Sequence, residues 1–567
     1  MAIFGILALV LLIYFVAYKS YGGLLARWFG LDASVVTPAH VVNDGEDYVP
    51  TSRGYLLAQH FSAIAAAGPI VGPITAAIAF GWLPALVWIV VGSIFIGAMH
   101  DFASLVGSVR HKAQSVATIV RDVMPGPAYG YFLAFVWLAL VYVIVAFTDI
   151  TAGAFTDDLP LEGGRVVSGG GVATASLLYL VVGVLLGVAL RMGIRLAPAA
   201  CLFVPLVGAA IWWGQESPVV LPGWMGDTRT AWNYVILVYC AVASVVPVWA
   251  LLQPRGFLGG FFLYGVLGAS LLGIVIGGFR GEGAITWPAW IGASSERVGE
   301  LWPFLFITIA CGACSGFHGL VCSGTTSKQL DKETDAHAVG YGGMLLEGVV
   351  AVLSVCCVMS LVPGDAASKM NPDKIYALGV AAFVETFGIR PELAVSFALL
   401  AFTTFVYDTL DVATRLCRYI FQELTGIRGR LGAVLGTVAT LALPAWFMSV
   451  RMSDQKGAAI PAWKMFWSVF GTSNQLLASL TLLSLTLWIM KGKRPKLAWV
   501  TGVPMVFMMI TTLWALGLAV ARFIARVSEG RGFDPAGAVS TVLLVVAILL
   551  IFEAVKALRR HVPQPVR

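Results

Sequence analysis

About fifteen apolar runs, each close to the 20 or so residues that carry a helix across a bilayer, follow one another along this chain with short loops between them. They fall at roughly 2–18, 55–78, 84–108, 129–153, 170–190, 195–213, 230–252, 258–278, 302–322, 338–362, 393–414, 430–449, 465–490, 497–521 and 536–556. Lipid offers the backbone no hydrogen-bond partners, so runs of this length are viable there as helices, which close their bonds internally. The expected fold is all-α: a polytopic membrane protein of about fifteen transmembrane helices, one unit over residues 1–567. The first run, Ala2 to Tyr18, has no basic stretch ahead of it and no small-residue cleavage site after it. It reads as a span rather than a signal peptide.

Composition narrows the function classes. Only 12% of the residues are charged and 59% are hydrophobic, against about 25% charged in a soluble protein. That excludes a soluble multidomain enzyme, a disordered chain and a nucleic-acid binder. The net charge of +6 comes from Lys and Arg in short loops, where basic residues set topology. With the N-terminus outside and strict alternation, most of the 36 basic residues fall inside, among them Arg110, Arg255, Lys328 and Arg415, and the C-terminus is cytoplasmic. The bias is weakest after residue 450, where Arg451, Lys456, Arg522, Arg526 and Arg531 fall outside. The cysteines mostly sit inside apolar runs, with no metal-ligand or disulfide spacing.

Polar residues inside the spans carry the functional signal. Segment 55–78 holds His60 and two Gly-Pro pairs, Gly68-Pro69 and Gly72-Pro73. Each proline removes an N–H and crowds the carbonyl four residues back, so this helix is expected to break near Gly68. Segment 302–322 runs into Cys311, Gly312, Cys314, Ser315, Gly316, His318 and Gly319, then Ser323, Gly324 and Thr325, and is a second candidate broken helix. Close packing through small residues accounts for either pattern as well. Broken helices in secondary carriers present carbonyls and helix ends to substrates and cations. His60, Gly68, Gly72, Ser315, Gly316, His318, Ser323 and Thr325 are therefore the substrate-site candidates.

Segment 393–414 carries Thr403, Thr404, Asp408 and Asp411, with Arg415 just beyond. Asp408 and Asp411 share a helix face, and the spacing predicts an Asp411–Arg415 ion pair that leaves Asp408 as the free carboxylate. Ionisable residues at membrane depth are functional candidates by default. Asp408, Glu347, Asp411 and Asp101 are the coupling candidates, together with His60 and His318. His100-Asp101 fits a relay or an interhelical salt bridge, and Asp149 is placed at a span end facing outside water. Carbonyls near Ala66 with Thr403 and Thr404 are the alternative sodium site. Gly471 to Gln475 adds uncharged hydrogen-bonding groups to segment 465–490. With no phosphate loop or catalytic triad, transport is expected to run on a proton or sodium gradient, without a cofactor, on a small-molecule substrate.

Several stretches resemble the carbon starvation protein A family of prokaryotic inner-membrane transporters. They are Asp44 to Thr51, His60 to Pro73, Gly97 to Phe102, Leu301 through Cys311, Ser315 to His318, Ser323 to Thr326, Gly340 to Glu347, Asp408 to Arg418, and Phe470 to Leu477. Gln59 stands where the family pattern has a second histidine, and Ser327 where it has proline. The resemblance implies uptake of peptides or pyruvate in carbon starvation, and a LeuT-type five-plus-five inverted-repeat core. On that mapping the repeats cover about 55–213 and 302–490, and 1–30, 230–278 and 497–560 are peripheral. A polytopic membrane enzyme, a solute channel and a nutrient sensor are the rival readings.

Overall fold

The computed structural model describes residues 2–559 apart from 46, 125, 224–226, 248, 297, 428, 451–459 and 531–533. Arg451, Lys456 and Arg531, and Glu46 within the stretch Asp44 to Thr51, lie outside the described residues. In chain order the main helices are α1 (Ile3–Phe29), α2 (Arg53–Ile64), α3 (Gly68–Phe80), α4 (Trp82–Arg110), α5 (Ala128–Thr156) and α6 (Gly169–Arg191). Next come α7 (Leu196–Glu216), α8 (Thr228–Val245), α9 (Leu252–Phe279), α10 (Leu301–Thr308), α11 (Gly316–Gly324) and α12 (Glu333–Met359). The last are α13 (Pro372–Glu385), α14 (Pro391–Thr425), α15 (Gly429–Ser449), α16 (Ala462–Lys491), α17 (Pro495–Ser528) and α18 (Pro535–Arg559). Among the described residues, 12 helices are long and apolar enough to cross a membrane, or 13 with the bent pair α2–α3. The other two runs expected as spans are the 18-residue α8 and the interrupted stretch 301–324.

Local chemistry sets the helix ends. Pro391 sits in the first turn of α14, where no N–H is required, and Gly426 closes that helix in the left-handed conformation (φ 73°). The same logic makes the first break. Pro69 cannot continue α2 but fits the first turn of α3, so the chain unwinds at 65–67 and bends by 48°. In the second broken helix α10 ends at Thr308 and α11 begins at Gly316, with turns and extended backbone between.

The two broken helices run antiparallel. α2 packs against α11, and α3 packs against α10. Their approach requires residues without a Cβ: one built on Gly68 would stand 2.2 Å from Cys311 Cβ, and one on Gly72 2.3 Å from the Thr308 carbonyl oxygen. This opposed pair, with the largely buried α5, α12, α14 and α16 around it, forms the core of the bundle. The outermost spans α1, α7, α17 and α18 leave much of their apolar surface open, as helices facing lipid do.

The stretch 230–278, expected at the periphery, contains α9, which lies along α2, α13 and α14 and carries the buried Arg255. α7, expected in a repeat, is the least buried span and packs mainly on α6.

The helix ends segregate as alternation requires. At one end Arg110 donates to Glu333 and to the Phe29 carbonyl, and Arg494 donates to the Arg27 carbonyl. At the other, the Ile3 N–H meets the Gly283 carbonyl, Leu83 meets Ala289, and Thr286 meets Met359.

Candidate functional site

Four ionisable side chains form one continuous chain in the core. His100 Nδ1 lies 2.8 Å from Asp101 Oδ1, and Asp101 Oδ2 lies 2.9 Å from His318 Nδ1. His318 Nε2 lies 3.2 Å from Glu347 Oε2. All four are buried. His100 and Asp101 come from α4, His318 from the half-helix α11 and Glu347 from α12. The unwound stretch before α11 brings His318 between two straight helices. A neutral His318 has a single N–H, and its Nδ1 lies against Asp101; its Nε2 and both Glu347 carboxyl oxygens are buried without a hydrogen-bond partner, 3.2 Å apart at the nearest.

A second buried cluster joins α9 to α14. Arg255 Nε and Nη2 donate to Asp408 Oδ1 at 2.8 and 2.5 Å, and Nη1 lies 2.7 Å from Asp411 Oδ2. Tyr239 donates to Asp411 Oδ2 at 2.8 Å and accepts from Arg255 Nη1. Ser62, two residues before the end of α2, donates to Asp408 Oδ2. Tyr179 donates to the Arg255 carbonyl at 2.7 Å. This corrects two expectations. Asp408 is not the free carboxylate, because Arg255 binds it. Asp411 pairs with Arg255 rather than with Arg415, whose guanidinium donates to the carbonyls of Ala243 and Val246. Arg255 was read as a loop charge between the runs 230–252 and 258–278; in the structure α9 starts at Leu252 and takes it in.

Between α2, α11, α9 and α14 lies a cavity of about 50 Å³. Gln59, His60, Gln253, Thr325, Lys328, Asp408 and Arg415 line it. Three buried polar atoms on its wall have no hydrogen-bond partner: Gln59 Oε1, His60 Nε2 and Gln329 Oε1. Buried polar atoms are seldom left unpaired, and such a group marks a place for water or solute. The other His60 nitrogen, Nδ1, is 2.9 Å from Thr326 Oγ1. The His60 ring lies against Gly343, one turn before Glu347 on α12; a Cβ on that glycine would stand 3.0 Å from the ring. Cavity and proton chain therefore adjoin through α12.

The remaining candidates are placed as follows. His60 and Thr325 reach the cavity, and His318 is in the buried chain. The open faces of Gly68, Gly72 and Gly316 are taken by helix packing; a Cβ on Gly316 would stand 2.4 Å from backbone atoms of Asn474 and Ala478. Ser315 bonds the Asn474 side chain, and Ser323 accepts from the Val116 N–H. The positive end of α11 is filled by Asn474, whose Oδ1 accepts from the Phe317 N–H at 2.9 Å. Of the alternative cation site, Thr403 is 3.2 Å from Ser176 and bonds the Leu400 carbonyl. Thr404 Oγ1 is buried without a partner, and Ala66 lies in the unwound turn. Asp149, expected in outside water, is buried and paired with Arg229 at 2.8 Å.

Comparison with known proteins places this geometry in context. Residues 2–375 and 362–515 match the family described as Carbon starvation protein CstA. The protein named Peptide transporter CstA of Campylobacter jejuni is 32% identical over 576 residues, spanning 88% of this chain and 78% of that one. Pyruvate/proton symporter BtsT of Escherichia coli is 30% identical over 591 residues, spanning 89% and 80%. Among solved structures, a manganese transporter of Eremococcus coleocola has a TM-score of 0.47 at 12% identity, covering 91% of this chain and 98% of that one. MhsT in complex with L-phenylalanine has 0.48 at 12%, covering 82% and 98%.

Proposed function

The chain belongs to the carbon starvation protein CstA family, and from that premise we propose that it is a secondary transporter carrying a small carboxylate-bearing nutrient, a peptide or pyruvate, into the cell with a proton. The family's named members are transporters, which sets aside the membrane-enzyme reading. The observation that carries the proposal is the cavity with unpartnered Gln59, His60 and Gln329 atoms beside the buried His100–Asp101–His318–Glu347 chain. The wall carries charges of both signs, Lys328 and Arg415 beside Asp47 and Asp408, which suits a substrate with both a carboxylate and an amino group as well as a simple carboxylate. The chain of three contacts suits a proton, since a group that must gain or lose one hydrogen to satisfy its neighbours responds to a proton gradient. The bias of basic residues in the loops supports an N-terminus outside and a C-terminus inside a prokaryotic inner membrane.

Uptake into proteoliposomes tests this. Labelled pyruvate and small peptides are offered under an inward proton gradient, an inward sodium gradient, or neither. The expected result is accumulation of one of them above equilibrium under the proton gradient, abolished by a protonophore. Equilibration without accumulation identifies a channel, and accumulation under sodium alone overturns the proton assignment.

A further inference from the structure

We infer that Arg255 is a tethered cation standing in the place of a mobile coupling ion, so that the carrier neither binds nor needs sodium at the α2–α14 junction. This rests on the reading of the chain as a carrier. The junction has what a hard cation seeks at a broken helix: the C-terminal, electronegative end of α2, the Ser62 hydroxyl, and the carboxylates of Asp408 and Asp411. Here both carboxylates are turned onto one guanidinium, and the Ser62 hydroxyl donates to the other Asp408 oxygen. Asp408 takes two of its nitrogens and Asp411 the third, with Tyr239 alongside. The side chain is 0% exposed. The α9 backbone presses against the same spot: a Cβ on Gly259 would stand 2.6 Å from Ser62 Oγ and 2.8 Å from Asp408 Oδ2. No second cation fits between ligands already this close. Because α9 carries the charge, the electrostatic clamp between α2 and α14 travels with the protein and is present without loading from solution. Ser62 then reports movement of the half-helix α2 directly to the Arg255–Asp408 pair.

A protein whose cation is built in should ignore sodium, and should regain a need for a free cation when the guanidinium is cut away. Purified wild type, Arg255→Ala and Arg255→Lys are heated in detergent with choline, sodium or guanidinium chloride at equal low ionic strength. The expected wild-type midpoint moves by less than about 1 °C among the three salts, and Arg255→Lys behaves alike. Arg255→Ala melts lower, and sodium or guanidinium raises its midpoint by at least about 3 °C over choline. If Arg255→Ala cannot be purified, binding of radioactive sodium to wild type decides the matter: none is expected. Sodium binding or sodium stabilisation of wild type overturns the inference, as does a folded Arg255→Ala that no cation rescues, which makes the residue a plain rivet. None of these readouts depends on substrate or on proton coupling, so they stand apart from the transport assay.

Discussion

His318 Nε2 and Glu347 Oε2 stand 3.2 Å apart, bridging the half-helix α11 and the straight helix α12 with no water-exposed atom between them. The other His318 nitrogen is held by Asp101. The imidazole is thus held on one side by Asp101, while its Nε2 and the facing Glu347 oxygens are buried without a hydrogen-bond partner, so a proton taken up between them leaves the Asp101 contact intact. Glu347→Gln keeps the size and a donor but cannot release the proton. Proton-driven accumulation should fall by about 100-fold or more, the scale seen when a positioned proton carrier is removed. Substrate counterflow, which needs no net proton movement, should persist. Loss of both in the same proportion would show that Glu347 serves the fold or the substrate instead.

Asp408→Asn tests the ion cluster from the carboxylate side. Removing this charge leaves Arg255 buried with one carboxylate instead of two. A broken buried ion pair costs about 3–5 kcal/mol, whereas replacing both partners with apolar residues of similar volume is often neutral. Asp408→Asn should therefore unfold at clearly lower denaturant in detergent, and the triple variant Arg255→Met with Asp408→Leu and Asp411→Leu, which removes the whole buried triad, should recover most of the loss. Additive losses in the triple variant would mean that the three side chains contribute separately.

What was legible in the sequence followed the range of the physics. The break in α2–α3 could be read because proline acts on the carbonyl four residues back, within the same helix. Buried acids could be picked out because charge inside an apolar run is costly wherever its partner lies. The partners could not. Arg255 and Asp408 are separated by 153 positions, while Arg415 is four beyond Asp411 on one helix, so local spacing favoured the wrong pair. The glycines of the broken helices were offered as ligand contacts, yet Gly72 faces the Thr308 backbone. A missing side chain reads the same in sequence whether the space is filled by a ligand or by another helix. Asn474 was visible only as a polar group in segment 465–490; its role at the start of α11 depends on a contact 157 residues away.

Gly72→Ala separates those two meanings of a glycine. Its Cβ would stand 2.3 Å from the Thr308 carbonyl oxygen, a backbone atom that cannot move without displacing α10. Overpacking of this kind costs about 1–3 kcal/mol or more. Gly268, inside α9, has nothing within 4 Å of the same built atom, so Gly268→Ala should be neutral or stabilising by up to about 1 kcal/mol. Thermal midpoints of the two variants should move in opposite directions. Equal behaviour would mean that the broken helices are looser against each other than this packing implies.

Asn474 makes the sharpest prediction about the second broken helix. Its Oδ1 accepts from the Phe317 N–H, one of the free donors at the start of α11, and its Nδ2 donates to Ser315 Oγ at 3.0 Å and to Cys311 Sγ at 3.2 Å. One side chain thus ties the unwound stretch and the helix start to α16. Asn474→Ala removes the cap and both side-chain bonds, and should cost about 1–2 kcal/mol of stability. Asn474→Asp keeps the acceptor and gains favourable charge at the positive end of the helix, but gives up the donated bonds and buries a carboxylate. Because His318 is two residues into α11, loss of the cap should also loosen the His318–Glu347 contact. Asn474→Ala should therefore lower proton-driven accumulation more than counterflow, in the same sense as Glu347→Gln but by a smaller factor. An Asn474→Ala protein with wild-type stability and unchanged proton dependence would show that the helix start is held by other groups, and that the proton chain does not depend on how α11 is anchored.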